Sequence, residues 1–182
     1  SACGNLSVQE TIIVHRPTLA NFTASSLEVC LGEDFTFTDA SLGEDLVWNW
    51  DFGDGTNSTL EGPHTITYGT PGNYTVELVV EGYCGNDTME IDVLVNPLTV
   101  ADFTIPEPIE GCSPLTVTPT NNSSGTGITY EWYLDGVLFS TDETPAPITF
   151  TETAGTAPVI HDLELVVTTV CGVETINQLI TV

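Results

Sequence analysis

The side chains that could carry out nucleophilic, acid–base or metal chemistry are few and widely separated in this chain. The three histidines are 49 or 97 residues apart, and that spacing is not typical of a metal site. They are His15, His64 and His161. No serine or cysteine lies in the tight strand-to-helix motif that presents a catalytic nucleophile. We therefore expect no catalytic activity.

The charge of the chain restricts its partners. The 182 residues contain 26 acidic residues but only one strong cation, Arg16, which gives a formal net charge of −25. Binding to nucleic acid phosphates or to anionic lipid surfaces requires cations, so the charge argues against both partners. It favours solubility and an affinity for divalent cations. No apolar run reaches the ~18 residues of a membrane span, so we expect no membrane insertion.

One stretch, residues 48–56 (WNWDFGDGT), has the clearest pattern in the chain. Trp48, Trp50 and Phe52 alternate with polar residues, as in a half-buried β-strand. The following residues 53–55 (GDG) predict a tight turn, because glycine accepts positive φ and the Asp carboxylate can bond to nearby backbone N–H groups. Residues 71–72 (PG) predict a second turn before another alternating run.

The chain also repeats itself. The pair Cys-Gly occurs at residues 3–4, 84–85 and 171–172, and LANFT at 19–23 is matched by VADFT at 100–104. Trp50 is matched by Trp132; the spacing is 81 or 82 residues up to this point and 87 at the last cysteine. These spacings predict a tandem array. Residues 1–17 would be the final strand of a preceding repeat, 18–97 one domain and 98–182 a second.

Short alternating runs separated by turn signals predict an all-β fold of packed sheets without helices. In the first domain we place strands near 19–24, 33–39, 46–52, 63–69, 73–82 and 88–95. In the second we place them near 100–105, 114–120, 127–134, 136–140, 146–151, 159–169 and 173–182.

The order WDFGDGT, HTITY and PGNYTVELVV in residues 50–80 resembles the PKD domain, an immunoglobulin-like β-sandwich of extracellular proteins. The second domain is more divergent, since residues 132–136 read WYLDG and His161 stands where the first domain has Tyr74. The resemblance implies tandem immunoglobulin-like β-sandwiches of PKD type. It also implies that Trp50, Trp132 and Tyr74 are structural core residues, with ligand binding by these rings as the alternative.

An extracellular sandwich with five cysteines is expected to contain disulfides. In such a fold, the loop with Cys30 and the hairpin with Cys84 lie at opposite ends, about 20 Å apart. The resemblance therefore implies a Cys30–Cys171 bridge between the two domains, while Cys84, Cys112 and Cys3 would pair with neighbouring repeats. Pairing inside each domain and free thiols are the alternatives.

Two further sites follow from resemblance. Some PKD domains bind calcium near the DFGDG turn, where this chain has Asp51 and Asp54. Oxygen atoms could also come from Asp39, Glu44, Asp45 and Asp102. None of these residues has the fixed spacing of a calcium loop, and turn capping is the alternative role. Residues 87–89 (DTM) resemble a short bacterial O-glycosylation motif, with Thr88 as the acceptor.

The composition and the paired cysteines resemble repeats of the large surface proteins of gliding or adhesive Bacteroidetes. This resemblance implies a structural or adhesive segment of a long extracellular protein at the cell surface, a stalk, filament or adhesin. Its partners would be neighbouring repeats and surface glycans or proteins. The alternative is an accessory carbohydrate- or protein-binding module of a secreted degradative enzyme, which predicts a row of exposed aromatic residues. The candidates for such a row are Tyr68, Tyr83, Tyr130 and Tyr133.

Overall fold

The computed structural model describes residues 9–106, 109–152 and 157–182, and its architecture is all-β, as the sequence predicts. These described residues form sixteen strands and no helix, so they include no helix able to cross a membrane. The strands are β1 (Phe22–Ala24), β2 (Glu28–Cys30), β3 (Phe35–Asp39), β4 (Val47–Asp51), β5 (Asn57–Ser58), β6 (His64–Ile66), β7 (Gly72–Gly82), β8 (Gly85–Asn96), β9 (Phe103–Thr104), β10 (Leu115–Val117), β11 (Thr120–Asn121), β12 (Thr129–Leu134), β13 (Val137–Ser140), β14 (Ile148–Phe150), β15 (Ile160–Thr169) and β16 (Gly172–Thr181).

Close contacts divide the chain into two compact units. The first contains the residues up to Leu27, Phe35–Ile66 and Tyr74–Val93. The second contains Glu28–Asp34, Thr67–Asn73 and Leu94–Val182. Three short segments of the predicted first domain, residues 28–34, 67–73 and 94–97, thus belong by proximity to the second unit. The predicted domain boundary between residues 97 and 98 was derived from the repeat in the sequence, whereas the two units are defined by spatial contacts. The boundary therefore stays a prediction.

In the first unit, two layers of strands enclose an aromatic core. Strands β1, β3 and β6 form one antiparallel sheet, while β4 pairs with β5 and β7 in another. Alternate residues of these strands point inward, as period-2 patterning requires. Trp50 of β4 lies opposite Leu78 of β7, and both side chains are fully buried. The other buried side chains include Phe22, Phe35, Phe37, Phe52, Val76 and Val80.

The second unit repeats this design around Trp132. Strands β13, β12, β15 and β16 form an antiparallel sheet in that order, and Trp132 lies opposite Leu165. The shorter pairs β10–β14 and β9–β11 supply further strands. Among the described residues of this unit, nine buried side chains form the core: Phe103, Ile105, Val117, Trp132, Phe150, Leu163, Leu165, Val167 and Ile180.

Most predicted strands are found close to their predicted positions, but short ones were missed. Strands β2 and β5 have only three and two residues, too few to show alternation. The predicted final strand of a preceding repeat lies partly outside the described residues. Its described part, residues 9–14, has no strand conformation, because a strand needs a paired neighbour and residues 9–17 have none among the described residues.

Candidate functional site

Trp50 seals the core of the first unit through both its ring and its N–H group. Its indole Nε1 donates a hydrogen bond to the carbonyl oxygen of Leu60 at 3.0 Å, so the polar edge of a fully buried ring is satisfied. Phe22 meets the ring edge-to-face, with centroids 5.0 Å apart. His64 Nε2 donates to the same Leu60 oxygen at 3.0 Å and packs against the indole. His64 therefore has a structural position.

Trp132 repeats two of these contacts in the second unit, the indole hydrogen bond and the edge-to-face phenylalanine. It is also fully buried, and its indole Nε1 donates to the carbonyl oxygen of Asp142 at 3.0 Å. In both units the acceptor follows the tryptophan by ten residues. Phe103 meets the Trp132 ring edge-to-face, at a centroid distance of 5.2 Å and the same interplanar angle of 70° as between Phe22 and Trp50.

A polar network at the sheet edge is repeated as well. In the first unit, Asn21 N donates to Ser41 Oγ at 3.1 Å. That hydroxyl lies 3.2 Å from Asn21 O and donates to the closer Asp39 Oδ1 at 2.5 Å. In the second, Asp102 N donates to Ser123 Oγ, which donates back to Asp102 O, at 3.0 and 3.1 Å. The same backbone bonds close each edge, between residues 19 and 42 and between residues 100 and 124. These hydrogen bonds therefore occur at matching positions in the two units.

The DFGDG turn is held by its own carboxylates. Asp51 Oδ1 accepts from Gly53 N at 2.8 Å, and Asp54 Oδ1 accepts from the amide and the hydroxyl of Thr56 at 2.8 and 2.6 Å. Gly53 has φ +77°, and a Cβ there would lie 2.5 Å from the carbonyl oxygen of Thr75. The motif thus requires glycine because the turn lies directly against the backbone of β7.

These contacts give Asp51 and Asp54 a structural role in the turn. Within the described residues, no group of three or more His, Cys, Asp or Glu side chains is arranged to hold a metal ion. Calcium binding stays a prediction. It would be supported by a melting temperature that rises by several degrees when calcium is added, and an unchanged melting temperature would count against it.

Cys30 and Cys171 form a disulfide bond that spans 141 residues of sequence, with an S–S distance of 2.03 Å. Cys30 ends β2, which pairs in parallel with the end of β8, so it lies on a short strand and not in a plain loop. Both cysteines belong by contacts to the second unit. That the bridge joins two repeats depends on the predicted boundary at 97/98. Cys84 and Cys112 are exposed free thiols.

The predicted partners of Cys84 and Cys112 in neighbouring repeats stay a prediction, and Cys3 lies outside the described residues.

Three of the four tyrosines proposed as an exposed row have other roles. Tyr68 is 2% exposed, and Tyr130 packs against the second core. Tyr83 is 63% exposed, but one face of its ring stacks on His15 at 3.8 Å. Tyr74, predicted to be buried, is half-buried because it lies at the end of β7, where the inward-facing row leaves the core.

His161, which the sequence marks only as a scattered histidine and the counterpart of Tyr74, contacts two carboxylates. His161 is largely buried, with Nδ1 2.8 Å from Asp135 Oδ2 and Nε2 3.1 Å from Glu152 Oε1. The hydrogen bond to Asp135 raises the pKa of His161 above its ordinary value, and the same bond lowers the pKa of Asp135. These partners are 26 and 9 residues away, so no local motif could have indicated the cluster.

Thr88, the predicted glycosylation site, is exposed on β8. Its neighbours point to the other side of the strand, where Asp87 Oδ2 accepts from Ala20 N at 2.9 Å and Met89 Sδ accepts from Phe22 N at 3.4 Å. Asp87 and Met89 therefore bind the backbone at the edge of β1. This structural role accounts for both residues without any need for a glycosylation motif. Modification of Thr88 stays a prediction.

The comparisons with known proteins agree with this architecture. The family model of the PKD domain matches residues 19–95. No curated protein matches the chain. Among solved structures, the chain is similar to a three-immunoglobulin segment of titin, with 16% identity, coverage of 90% of this chain and 64% of that one, and a TM-score of 0.55.

It is also similar to an amphioxus IgVJ-C2 molecule, with 15% identity, coverage of 85% of this chain and 99% of that one, and a TM-score of 0.50. The PKD1 domain of Vibrio anguillarum Epp is 29% identical, with coverage of 45% of this chain and 96% of that one and a TM-score of 0.38.

The titin and amphioxus similarities show an immunoglobulin-like fold. The family match supports a PKD-type domain at residues 19–95. PKD domains occur in extracellular proteins and are typically non-catalytic, and the disulfide is consistent with an extracellular location. The chain thus fits an extracellular structural or accessory module.

Proposed function

We propose that the chain is a structural or adhesive repeat segment of a long extracellular protein at the cell surface, a stalk, filament or adhesin that performs no catalysis. The observation that carries this proposal is the repetition of internal contacts. The tryptophan–carbonyl bond, the edge-to-face phenylalanine and the serine network recur in both units at the same spacing. The repeated residues serve packing and sheet closure, as expected of repeats that build an extended scaffold.

The composition supports the same function. With no lysine and a single arginine, the chain resembles the repeats of gliding or adhesive Bacteroidetes surface proteins. We also propose that the chain comes from such a protein, and that its partners are neighbouring repeats and surface glycans or proteins. The high negative charge favours solubility, which suits a solvated surface structure.

The competing function is an accessory module that holds a polysaccharide or protein for a secreted enzyme. It depends on exposed aromatic rings, but Tyr68 is buried and Tyr130 is half-buried against the second core. The geometry therefore favours the structural role.

Two measurements test the proposal. Electron microscopy of the full polypeptide that carries this segment should show long unbranched fibres, whereas a compact particle would contradict it. In a pull-down, the chain should not be retained on chitin or cellulose. Retention that is lost on changing Tyr133→Ala, and kept on changing the exposed Val137→Ala, would favour the accessory module instead.

A further inference from the structure

We propose that the surface around Cys112 is a docking site for the hairpin turn Tyr83–Gly85 of a second copy of this chain, closed by a Cys112–Cys84 disulfide. This inference rests on the proposed function, since it treats the chain as one segment of an array of repeats. It assigns a partner to each of the two free thiols in the described part of the chain.

The second unit already contains one complete joint of this kind. There the turn between β15 and β16, residues 170–172, is bonded through Cys171 to Cys30. Val170 shares a cleft of about 210 Å³ with Cys30, Glu33 and Asn96. The joint therefore consists of a turn with a cysteine in its middle, placed against a short strand that ends in a cysteine.

The receiving half of this joint is present a second time, at Cys112. Cys112 follows Cys30 by 82 residues, the spacing of the repeat in this region. The parallel pairing of Glu28 with Leu94 beside Cys30 has its counterpart in a parallel bridge between Glu110 and Thr181. Gly111 N donates to Thr181 O at 3.0 Å, so the backbone beside Cys112 is held as it is beside Cys30.

An open cleft adjoins this second receiving surface. It has a volume of about 510 Å³, and its walls include Glu110, Cys112, Pro158 and Thr181. The cleft next to the occupied joint is less than half as large. This difference in volume is expected if the turn with Cys171 fills the site beside Cys30, whereas the site beside Cys112 receives its turn from a second copy.

The inserting half of the joint is also present a second time, at Cys84. Tyr83 N donates to Glu44 O at 3.0 Å, and Val170 N donates to Thr126 O at 3.1 Å, so the two turns are anchored alike. Gly85 and Gly172, which follow the cysteines, both have positive φ, 112° and 126°. The Tyr83–Gly85 turn thus presents its exposed thiol in the same local structure that presents Cys171 to Cys30.

The bond can form by thiol–disulfide exchange without a further oxidant. We would convert Cys84 of one copy to a mixed disulfide with glutathione. The Cys112 thiolate of the other copy attacks the Cys84 sulfur, the Cys84–glutathione bond breaks, and glutathione leaves as a thiolate that takes up a proton. One disulfide is consumed and one is formed, so electrons balance.

The experiment mixes two variants that can react in one way only. Both copies carry Cys3→Ser. The first copy also carries Cys112→Ser and has glutathione attached to Cys84. The second copy carries Cys84→Ser, so its Cys112 is the attacking thiol. Because each chain has a formal charge of −25, the reaction is run in ~0.5 M salt, which shortens the screening length to a few ångströms. We expect covalent dimers whose peptide map shows Cys84–Cys112, formed several-fold faster than with glutathione-labelled, unfolded Cys84 peptide.

A blocked cleft separates docking from random collision. Pro158→Tyr, which places a large ring in the cleft, should slow dimer formation several-fold, whereas the matched change Val137→Tyr on the exposed strand β13 should not. Equal rates for the folded copy and the peptide, or for the two tyrosine variants, would overturn the docking site. Neither result bears on whether the full polypeptide forms fibres, so the proposed function is tested separately.

Discussion

At the scale of single residues, Gly53 explains why the DFGDG turn has its sequence. A Cβ at this position would meet the Thr75 carbonyl oxygen, and its φ of +77° is unfavourable for other residues. Gly55 has a similar φ of +88°, but a Cβ there would have no atom beyond its chain neighbours within 4 Å. Substitutions at these two glycines therefore distinguish the two effects: both positions have backbone strain, but only Gly53 also has the steric contact.

We expect Gly53→Ala to lower the free energy of unfolding by about 2–4 kcal/mol, since strain and overpacking add. Gly55→Ala should cost about 1–2 kcal/mol, from strain alone. Urea denaturation of both variants measures the difference, and equal losses would show that the contact with β7 is unimportant.

Two equivalent threonines differ in the hydrogen bonds of their hydroxyl groups. Thr99 Oγ1 lies 2.5 Å from Thr169 Oγ1 in a buried pair. Thr18 holds the corresponding place in the first unit, where Gly82 stands in place of the second threonine, and its buried hydroxyl has no partner among the described residues.

Thr99→Val should therefore destabilise the protein by about 1 kcal/mol, whereas Thr18→Val should be neutral or stabilising by up to about 1 kcal/mol. Thermal unfolding of the two variants would reveal the contrast. A loss at Thr18 as large as that at Thr99 would mean that the Thr18 hydroxyl is satisfied in solution.

The cluster of His161, Asp135 and Glu152 makes stability depend on pH. The raised pKa of His161 means that its contribution is complete below about pH 6.5, the unfolded value, and is lost as pH rises through the folded pKa. The lowered pKa of Asp135 acts in the other direction, so its contribution is lost as pH falls below its ordinary value near 3.8.

We expect the stability difference between the wild type and His161→Gln to shrink as pH rises above 6.5. Measuring denaturant midpoints of both proteins from pH 5 to pH 9 cancels the general repulsion among the acidic residues. A difference that does not change with pH would show that folding leaves the pKa of His161 at its unfolded value.

Sequence patterning is informative about a single residue where that residue lies on a long alternating strand. Trp50 and Trp132 occupy inward positions of such strands, and both rings are buried. The His161 cluster and the Thr99–Thr169 pair give no such signal, because each depends on partners brought close only by folding. Tyr68 is an exposed candidate in the sequence but buried in the fold, because β6 ends two residues earlier and gives no alternation to orient it.

At the scale of elements, the disulfide and the short strand β2 belong together. The long strands were predictable from alternation, but β2 has three residues, and its parallel partner lies 66 positions away. Parallel pairing of such a short segment is a tertiary contact that local sequence cannot encode. The bond from Cys30 to Cys171 then fixes the end of this strand.

Removing the bridge should lower stability substantially, because it constrains an unfolded chain over 141 residues. The loop-entropy relation gives about 5 kcal/mol as an upper value for Cys30→Ala combined with Cys171→Ala. The matched double variant Cys84→Ala and Cys112→Ala removes two exposed thiols and should change the free energy of unfolding by less than about 0.5 kcal/mol. A similar loss in both variants would mean that the bridge does not stabilise the fold.

At the scale of the whole molecule, the repeat was the most informative feature of the sequence. Spacings of 81, 82 and 87 residues predicted which residues occupy equivalent positions, and the hydrogen bonds of the two units agree with that alignment. The division into compact units was not predictable in the same way. Segments such as Glu28–Asp34 are grouped by spatial contacts, which a repeat in sequence does not contain.

The bridge also determines how the chain would respond to stretching. Tension applied at its two ends would pass from Cys30 to Cys171 through a single sulfur–sulfur bond, leaving the polypeptide between them unloaded. At ~3.4 Å per residue, the 141-residue separation withholds roughly 480 Å of contour length. Both tryptophans, and the carbonyl groups of Leu60 and Asp142 that accept their indole N–H bonds, lie in this shielded portion. Their hydrogen bonds would come under tension only after a reductant had opened the bridge.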